Sequence, residues 1–286
     1  MKIAAILIIL GILIITAFWS GIVVRKYIIR SEKITGQIKI VLVTDLHGYI
    51  YGKNQKNIAD KIKKADPDLI LLGGDIVDEM MPLKGSEQFF EAIKDIADIY
   101  YVTGNHDKIF ERINADKINL KELIESYGIT FLENDYAEIN INGNDIIIGG
   151  ADDPGINRRT STAENTTSLE STWETKVNAA FNTEYLKSDG RYKILLTHRP
   201  DKINTYGSLP FDLILSGHAH GGQVRIPFIL KNGLYAPNQG LFPKYTGGIY
   251  EYADKIHVVS TGLSLKIPRV FNPPDIVVVT LDSQYP

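Results

Sequence analysis

Residues 38–47 read Ile38-Lys39-Ile40-Val41-Leu42-Val43-Thr44-Asp45-Leu46-His47. An apolar run this compact suits a strand buried on both faces, since a half-exposed strand would alternate polar and apolar side chains. It breaks off at a carboxylate and an imidazole two residues apart. Similar runs recur at 69–73, 99–103, 146–150, 192–197, 212–216, 257–261 and 276–281. Between several of them, 54–64, 86–95 and 120–127 carry apolar residues at helical spacing, the last before a stop at Gly128. Strands alternating with helices predict an α/β layered domain whose active site belongs at the carboxyl ends of strands.

Those ends share one chemistry. Asp45 and His47 follow the first run, Gly74, Asp75 and then Asp78 the second, and Gly104-Asn105-His106-Asp107 the third. A later run ends at His198, and the next leads into Gly217-His218-Ala219-His220, so five of the six histidines sit at strand ends. A single Asp-x-His reads as polar punctuation, but the set together would leave several polar groups unpartnered beside a buried sheet. With no cysteine in the chain, thiolate sites, disulfides and cysteine nucleophiles are excluded, and any metal must be held by His, Asp, Asn or Glu.

In order and spacing, the series D-x-H, GD-x-x-D, GNHD, H and GH-x-H from about Leu42 to His220 resembles the calcineurin-like metallophosphoesterase family. The resemblance implies a sandwich of two mixed β-sheets flanked by helices, with two divalent ions above the strand ends. One ion would be held by Asp45, His47, Asp75 and His220, the other by Asp75, Asn105, His198 and His218, with Asp75 bridging. Manganese leads, with iron or zinc as alternatives, because imidazole and carboxylate suit all three. Such a pair lowers the pKa of a shared water and clamps the attacking and departing oxygens of a phosphoryl group. By the same resemblance His106 is the general acid or charge stabiliser at the leaving group, Asp78 the carboxylate that orients it, and Asp107 either a supporting residue or a turn residue.

Within the family, HRPD at 198–201, SGHAHGGQVRIP at 216–227 and GGADDP at 149–154 resemble a bacterial branch that includes phosphodiesterases and pyrophosphatases of lipid-linked sugar nucleotides such as UDP-diacylglucosamine. Ala219 between the two histidines and the segment GYIYGKNQ after His47 depart from the usual pattern without removing a ligand. The expected activity is therefore hydrolysis of a phosphodiester or pyrophosphate bond, on a lipid or nucleotide-linked substrate. A phosphomonoesterase of the same fold and a silent scaffold are the alternatives. Completeness of the motif set disfavours the scaffold, and the GNHD block disfavours an amidohydrolase.

The 31 Lys+Arg against 34 Asp+Glu give a net charge of -3, without the basic excess that nucleic-acid binding favours, and no nucleic acid partner is expected. From Ile3 to Val24 the chain carries no charge and only Thr16 and Ser20 as polar side chains, which predicts one uncleaved transmembrane helix; a cleaved signal peptide is the rival. Arg25, Lys26, Arg30 and Lys33 beyond it against Lys2 before it place the catalytic domain on the cytoplasmic side of the cell membrane, with the extracytoplasmic side as the alternative. The expected organisation is an anchor at 1–30, a linker at 31–37 and the catalytic domain at 38–286. The polar stretch 152–172 is expected to be a surface excursion, with Arg158 and Arg159 as candidates to meet a phosphate. It and the Gly-, Pro- and Tyr-containing stretch 230–246 are expected to shape the substrate pocket.

Overall fold

The computed structural model describes residues 2–155 and 163–284. In chain order the strands are β1 (Val23–Ser31), β2 (Ile38–Val43), β3 (Leu69–Gly73), β4 (Asp98–Val102), β5 (Thr130–Phe131), β6 (Asp135–Ile141) and β7 (Asn144–Gly150). They continue with β8 (Tyr192–Leu196), β9 (Leu213–Ser216), β10 (Tyr235–Ala236), β11 (Gly240–Leu241), β12 (Gly248–Tyr252), β13 (Lys255–Val259) and β14 (Asp275–Ser283). The helices are α1 (Lys2–Ala17), α2 (Lys56–Ala65), α3 (Lys84–Ile93), α4 (Asn105–Asn114), α5 (Leu120–Glu125), α6 (Ala163–Phe181), α7 (Glu184–Ser188) and α8 (Ile203–Gly207).

Two six-stranded sheets, ordered β1-β14-β2-β3-β4-β5 and β12-β13-β9-β8-β7-β6, stack face to face. Both are mixed: β2 to β5 and β13-β9-β8-β7 are parallel runs, while β14-β2, β12-β13 and β6-β7 pair antiparallel. Period-two alternation sorts each strand's side chains between two cores. Ile40 and Leu42 point between the sheets, where Ile148, Leu196 and Leu215 meet them. Val41 and Val43 point outward to Ile58 and Ile62 of α2 and to Phe89 and Phe90 of α3. On the far side, Ile147, Leu195 and Ile214 pack on Trp173, Val177 and Phe181 of α6. Burial on both faces is why the central strands read as unbroken apolar runs.

The transmembrane reading of the N-terminus is corrected by this architecture. Only Lys2–Ala17 is helical, and 16 residues rise about 24 Å, short of the ~30 Å hydrocarbon core. No helix among the described residues is long and apolar enough to cross a membrane, so the single-pass assignment, and with it the cell-membrane placement with a cytoplasmic catalytic domain, is withdrawn. The charge-free run was read as one element, but its last residues belong to the sheet. The nine residues of β1 pair in parallel with β14 from Val23↔Asp275 to Ser31↔Ser283. Ile22 and Ile29 are buried, and the Arg25 Nε lies 2.8 Å from Asp275 Oδ2. Arg25, one of the charges used to orient the supposed span, is thus committed to an ion pair within the fold.

The stretch 152–172 also departs from expectation, since α6 begins at Ala163 and docks through Trp173, whose indole donates to the Asp152 carbonyl at 2.6 Å. Arg158 and Arg159 lie outside the described residues.

Candidate metal centre

The carboxyl ends of β2, β3 and β4 in one sheet meet those of β8 and β9 in the other, where the His198 Nδ1 donates across the sheets to the Gly73 carbonyl at 2.8 Å. Within the second sheet, the Gly217 N–H donates to the His198 carbonyl at 3.0 Å and ties the two strand ends together. Six side chains converge there in two clusters. Asp45, His47 and His220 form one cluster and Asp75, His198 and His218 a second, each with potential ligand atoms within 4.8 Å of one another. Asp75 Oδ2 lies 3.1 Å from His198 Nε2 and 3.7 Å from His47 Nε2, so it stands between the clusters.

Holding these side chains inward takes unusual backbone. Asp45, His47, Asp75, His218 and His220 all have positive φ, between 47° and 65°. A non-glycine residue there carries a cost of about 1–3 kcal/mol that the surrounding structure must over-determine. Two glycines make the close approach possible. A Cβ on Gly104 would sit 2.2 Å from Asp75 Oδ1, and one on Gly74, at φ 85°, would meet the Gly104 nitrogen at 2.6 Å. Asp107, fully buried on the first turn of α4, binds both loops: its carboxylate accepts from Asp75 N at 2.6 Å, Gly104 N at 2.7 Å and Val77 N at 2.9 Å. It therefore supports the ligand loops rather than merely terminating a turn.

The imidazoles are held in defined tautomers. His47 Nδ1 lies 2.7 Å from Asp78 Oδ2, which keeps the proton on Nδ1 and leaves Nε2 as a lone pair facing Asp75. The His198 Nδ1 proton is likewise committed to Gly73, leaving Nε2 toward Asp75 and toward His218 Nδ1, 3.1 Å away. Burial strongly opposes charge on His218 and His220 and holds both well below the usual histidine range. Burial acts on Asp75 and His198 as well, yet their mutual attraction wins, keeping Asp75 well below the usual carboxylate range and pushing His198 up to about 10. Burial, reinforced by Asp75, raises Asp45.

Whether these residues fit a pair of cations is answered by their unmet hydrogen-bonding capacity. His47 Nε2, Asp75 Oδ2 and Asn105 Oδ1 are buried without a hydrogen-bond partner. Unpaired buried polar atoms are rare and costly, and here three of them, all able to offer a lone pair, belong to residues that line one cavity, His47 Nε2 and Asp75 Oδ2 lying 3.7 Å apart. Carboxylate, amide oxygen and neutral imidazole together are a donor set for a hard or borderline divalent cation. The residues fit.

Outside this group, His106 departs from its expected partner. Its Nδ1 is 2.7 Å from Glu79 Oε2 and 3.3 Å from Asp78 Oδ2, while Asp78 is engaged by His47 and by Lys266 Nζ at 2.5 Å. Burial opposes the protonated His106, but Asp75 and Glu79 outweigh it and raise its proton affinity. Glu79, Lys266 and the buried bidentate pair of Arg199 with Asp153 escaped the sequence reading. Glu79 was detectable as the second carboxylate in the Asp78-Glu79 pair, whereas Lys266 carries no signal, being 46 positions beyond His220 in an unremarkable loop.

Beside the cluster opens a cavity of about 430 Å³, whose lining includes His47, Asp75, Asn105, His218 and His220 together with the apolar Met80, Ile109, Tyr235, Pro237 and Ile267. Tyr235 and Pro237 come from the stretch 230–246, whereas no residue of 152–172 lines the cavity among the described residues.

Residues 38–222 match the family described as calcineurin-like phosphoesterase. An uncharacterized metallophosphoesterase of Campylobacter jejuni is 28% identical over 90% of this chain, which spans 63% of that relative's length. A protein of Escherichia coli named phosphodiesterase YaeI is 26% identical over 78% of this chain and 73% of its own. Among solved structures, the NAD nucleotidase of Haemophilus influenzae superimposes on 80% of this chain and 46% of its own with a TM-score of 0.48 and 16% identity.

Proposed function

The chain belongs to the calcineurin-like phosphoesterase family and is a phosphoric ester hydrolase; from that premise we propose that it cleaves a phosphodiester or pyrophosphate bond at a two-cation site. One ion would be held by Asp45, His47, Asp75 and His220, the other by Asp75, Asn105, His198 and His218, and manganese is the first candidate. The observation that carries this reading is that His47 Nε2, Asp75 Oδ2 and Asn105 Oδ1, on three residues lining one cavity, are buried without hydrogen-bond partners. When bound, the two ions would supply a nucleophile at neutral pH and charge neutralisation for the phosphoryl group.

The protein's own residues handle orientation and the proton. Asp78 and Gly73 fix the His47 and His198 rings, and Asp107 holds the Asp75 and Asn105 loops at a set spacing. His106, its Nδ1 tied to Glu79, keeps Nε2 for the departing oxygen, to which it gives a proton as the phosphorus–oxygen bond breaks. A cavity of about 430 Å³ whose lining joins candidate ligands to apolar side chains can take an organic group along with the phosphoryl group, which favours a diester or a substituted pyrophosphate over a simple monoester.

The test is manganese-dependent hydrolysis of bis-p-nitrophenyl phosphate against p-nitrophenyl phosphate by the full chain, with Asp75→Asn and His106→Ala beside it. Diester cleavage that needs metal and both side chains supports the proposal. Preference for the monoester would transfer the site to phosphomonoesters, and metal-loaded, folded protein inert toward both and toward a pyrophosphate would refute it.

A further inference from the structure

Lys266 occupies a position that the ligand scheme does not use. It lies on the segment joining β13 to β14, which contributes none of the candidate metal ligands, yet its side chain reaches the cavity wall beside His106 and Glu79. Its Nζ donates to Asp78 Oδ2 at 2.5 Å, the same oxygen that accepts from His47 Nδ1. An ammonium has three N–H donors, and this contact uses one of them.

The segment is clamped rather than draped. Arg269, buried behind it, donates through Nε to the Ser264 carbonyl at 2.8 Å and through Nη2 to the Thr261 and Gly262 carbonyls at 2.8 and 3.2 Å. The Tyr51 hydroxyl bonds the Leu263 carbonyl, and the Lys266 amide is held by Ser264 Oγ at 3.2 Å. Seven residues before Arg269, the turn at Gly262 packs against Asp45, where an added Cβ would meet Oδ2 at 2.6 Å. The lysine is thus presented from a braced loop whose base touches a candidate metal ligand. Such bracing removes the ordering cost that usually weakens a lysine contact.

Among the described residues, the cavity has one other cationic side chain besides its histidines, Arg199, and that one is buried and held bidentately by Asp153. Lys266 is partly accessible, with 26% of its side chain exposed, and stands on the His106 side of the cavity. Asp78, shared with His47, tethers the ammonium without enclosing it.

We infer that Lys266 is a further substrate-contacting residue, its ammonium donating to a non-bridging oxygen of the substrate's phosphoryl group next to His106. The inference rests on the phosphoesterase reading above, but the binding of an anion can be measured without turnover.

The experiment titrates inorganic phosphate into the manganese-loaded full chain by calorimetry, for the wild type, Lys266→Met and Lys266→Arg, and measures kcat and KM for bis-p-nitrophenyl phosphate on the same samples. Manganese stoichiometry and melting temperature are recorded for each. Loss of one charge-assisted hydrogen bond predicts phosphate affinity weakened about 10-fold or more in Lys266→Met, with KM raised in step, kcat changed less, and most of the affinity restored in Lys266→Arg. Unchanged phosphate affinity in Lys266→Met overturns the inference. So does a loss of manganese stoichiometry with phosphate affinity per loaded site intact, since Lys266 would then only position Asp78. Should the wild type bind phosphate but hydrolyse no ester, while Lys266→Met still loses phosphate, the phosphoesterase reading falls and the anion contact stands.

Discussion

Two adjacent isoleucines distinguish an N-terminal segment that is part of the sheet from one that merely precedes it. In β1, Ile29 is 3% exposed, faces the core between the sheets and sits in register with Leu281, while Ile28 is 64% exposed on the opposite face. Ile29→Ala removes three carbon groups, worth about 0.8 kcal/mol each in transfer, or about 2.4 kcal/mol. The cavity left behind adds a further ~1 kcal/mol or more if the edge strand cannot collapse, for a total of about 3–4 kcal/mol. Ile28→Ala should fall within about 0.5 kcal/mol of wild type, as surface changes do. Urea denaturation of the full chain at one fixed manganese concentration, followed by tryptophan fluorescence, measures both. If Ile29→Ala and Ile28→Ala have equal and small effects, β1 does not belong to the cooperative unit and the strand assignment fails.

Chelation should lower the melting temperature, because each ion bound only by the folded state at about 100 times its Kd contributes ~2.7 kcal/mol, or about 4–5 °C per ion for a chain of 286 residues; Asp75→Asn should show no such difference between chelator and manganese. Gly104→Ala forces a Cβ to within 2.2 Å of Asp75 Oδ1, and should weaken manganese binding about 10–100-fold in a calorimetric titration while leaving the far-ultraviolet circular dichroism unchanged. Burial pushes His257 down to about 3, below its unfolded value of 6.5, so the unfolded chain takes up the proton first and stability drains as pH falls from 6.5 toward 3. At about 1.4 kcal/mol per pH unit, the stability lost between pH 7.5 and pH 5 should be about 2 kcal/mol smaller in His257→Gln than in the wild type. Equal losses would mean that the His257 imidazole takes up its proton alike in the folded and unfolded chain, and would refute the effect of burial.

Much of the centre was legible because its residues follow strands, and strands buried on both faces announce themselves as apolar runs. The run at 69–73 matches β3 residue for residue, and Asp75 follows β3 at the same two-residue interval at which Asp45 follows β2, with Asn105 three residues after β4. Edge strands were harder to find. β6 and β12 carry a half-buried face and an exposed face, with polar residues such as Asp135, Glu138 and Glu251 interrupting any apolar run. β1 failed for the opposite reason, since its first residues continue the apolar composition of α1 and hydropathy does not distinguish a helix from a strand.

By itself, then, the sequence determined the layered α/β class, the position of the chemistry at strand ends and the ligand types available there, because strand periodicity and the order of short motifs are local properties of the chain. Three matters were decided only by tertiary structure. Residues 23–31 became an edge strand because β14, some 250 positions away, offered a free edge and Asp275 a partner for Arg25. Glu79 rather than Asp78 came nearest His106, because His47 and Lys266 had already engaged the Asp78 carboxylate. Lys266 itself entered the cavity on a loop braced by Arg269, a placement fixed by contacts among residues whose spacing in the chain carries no period to read.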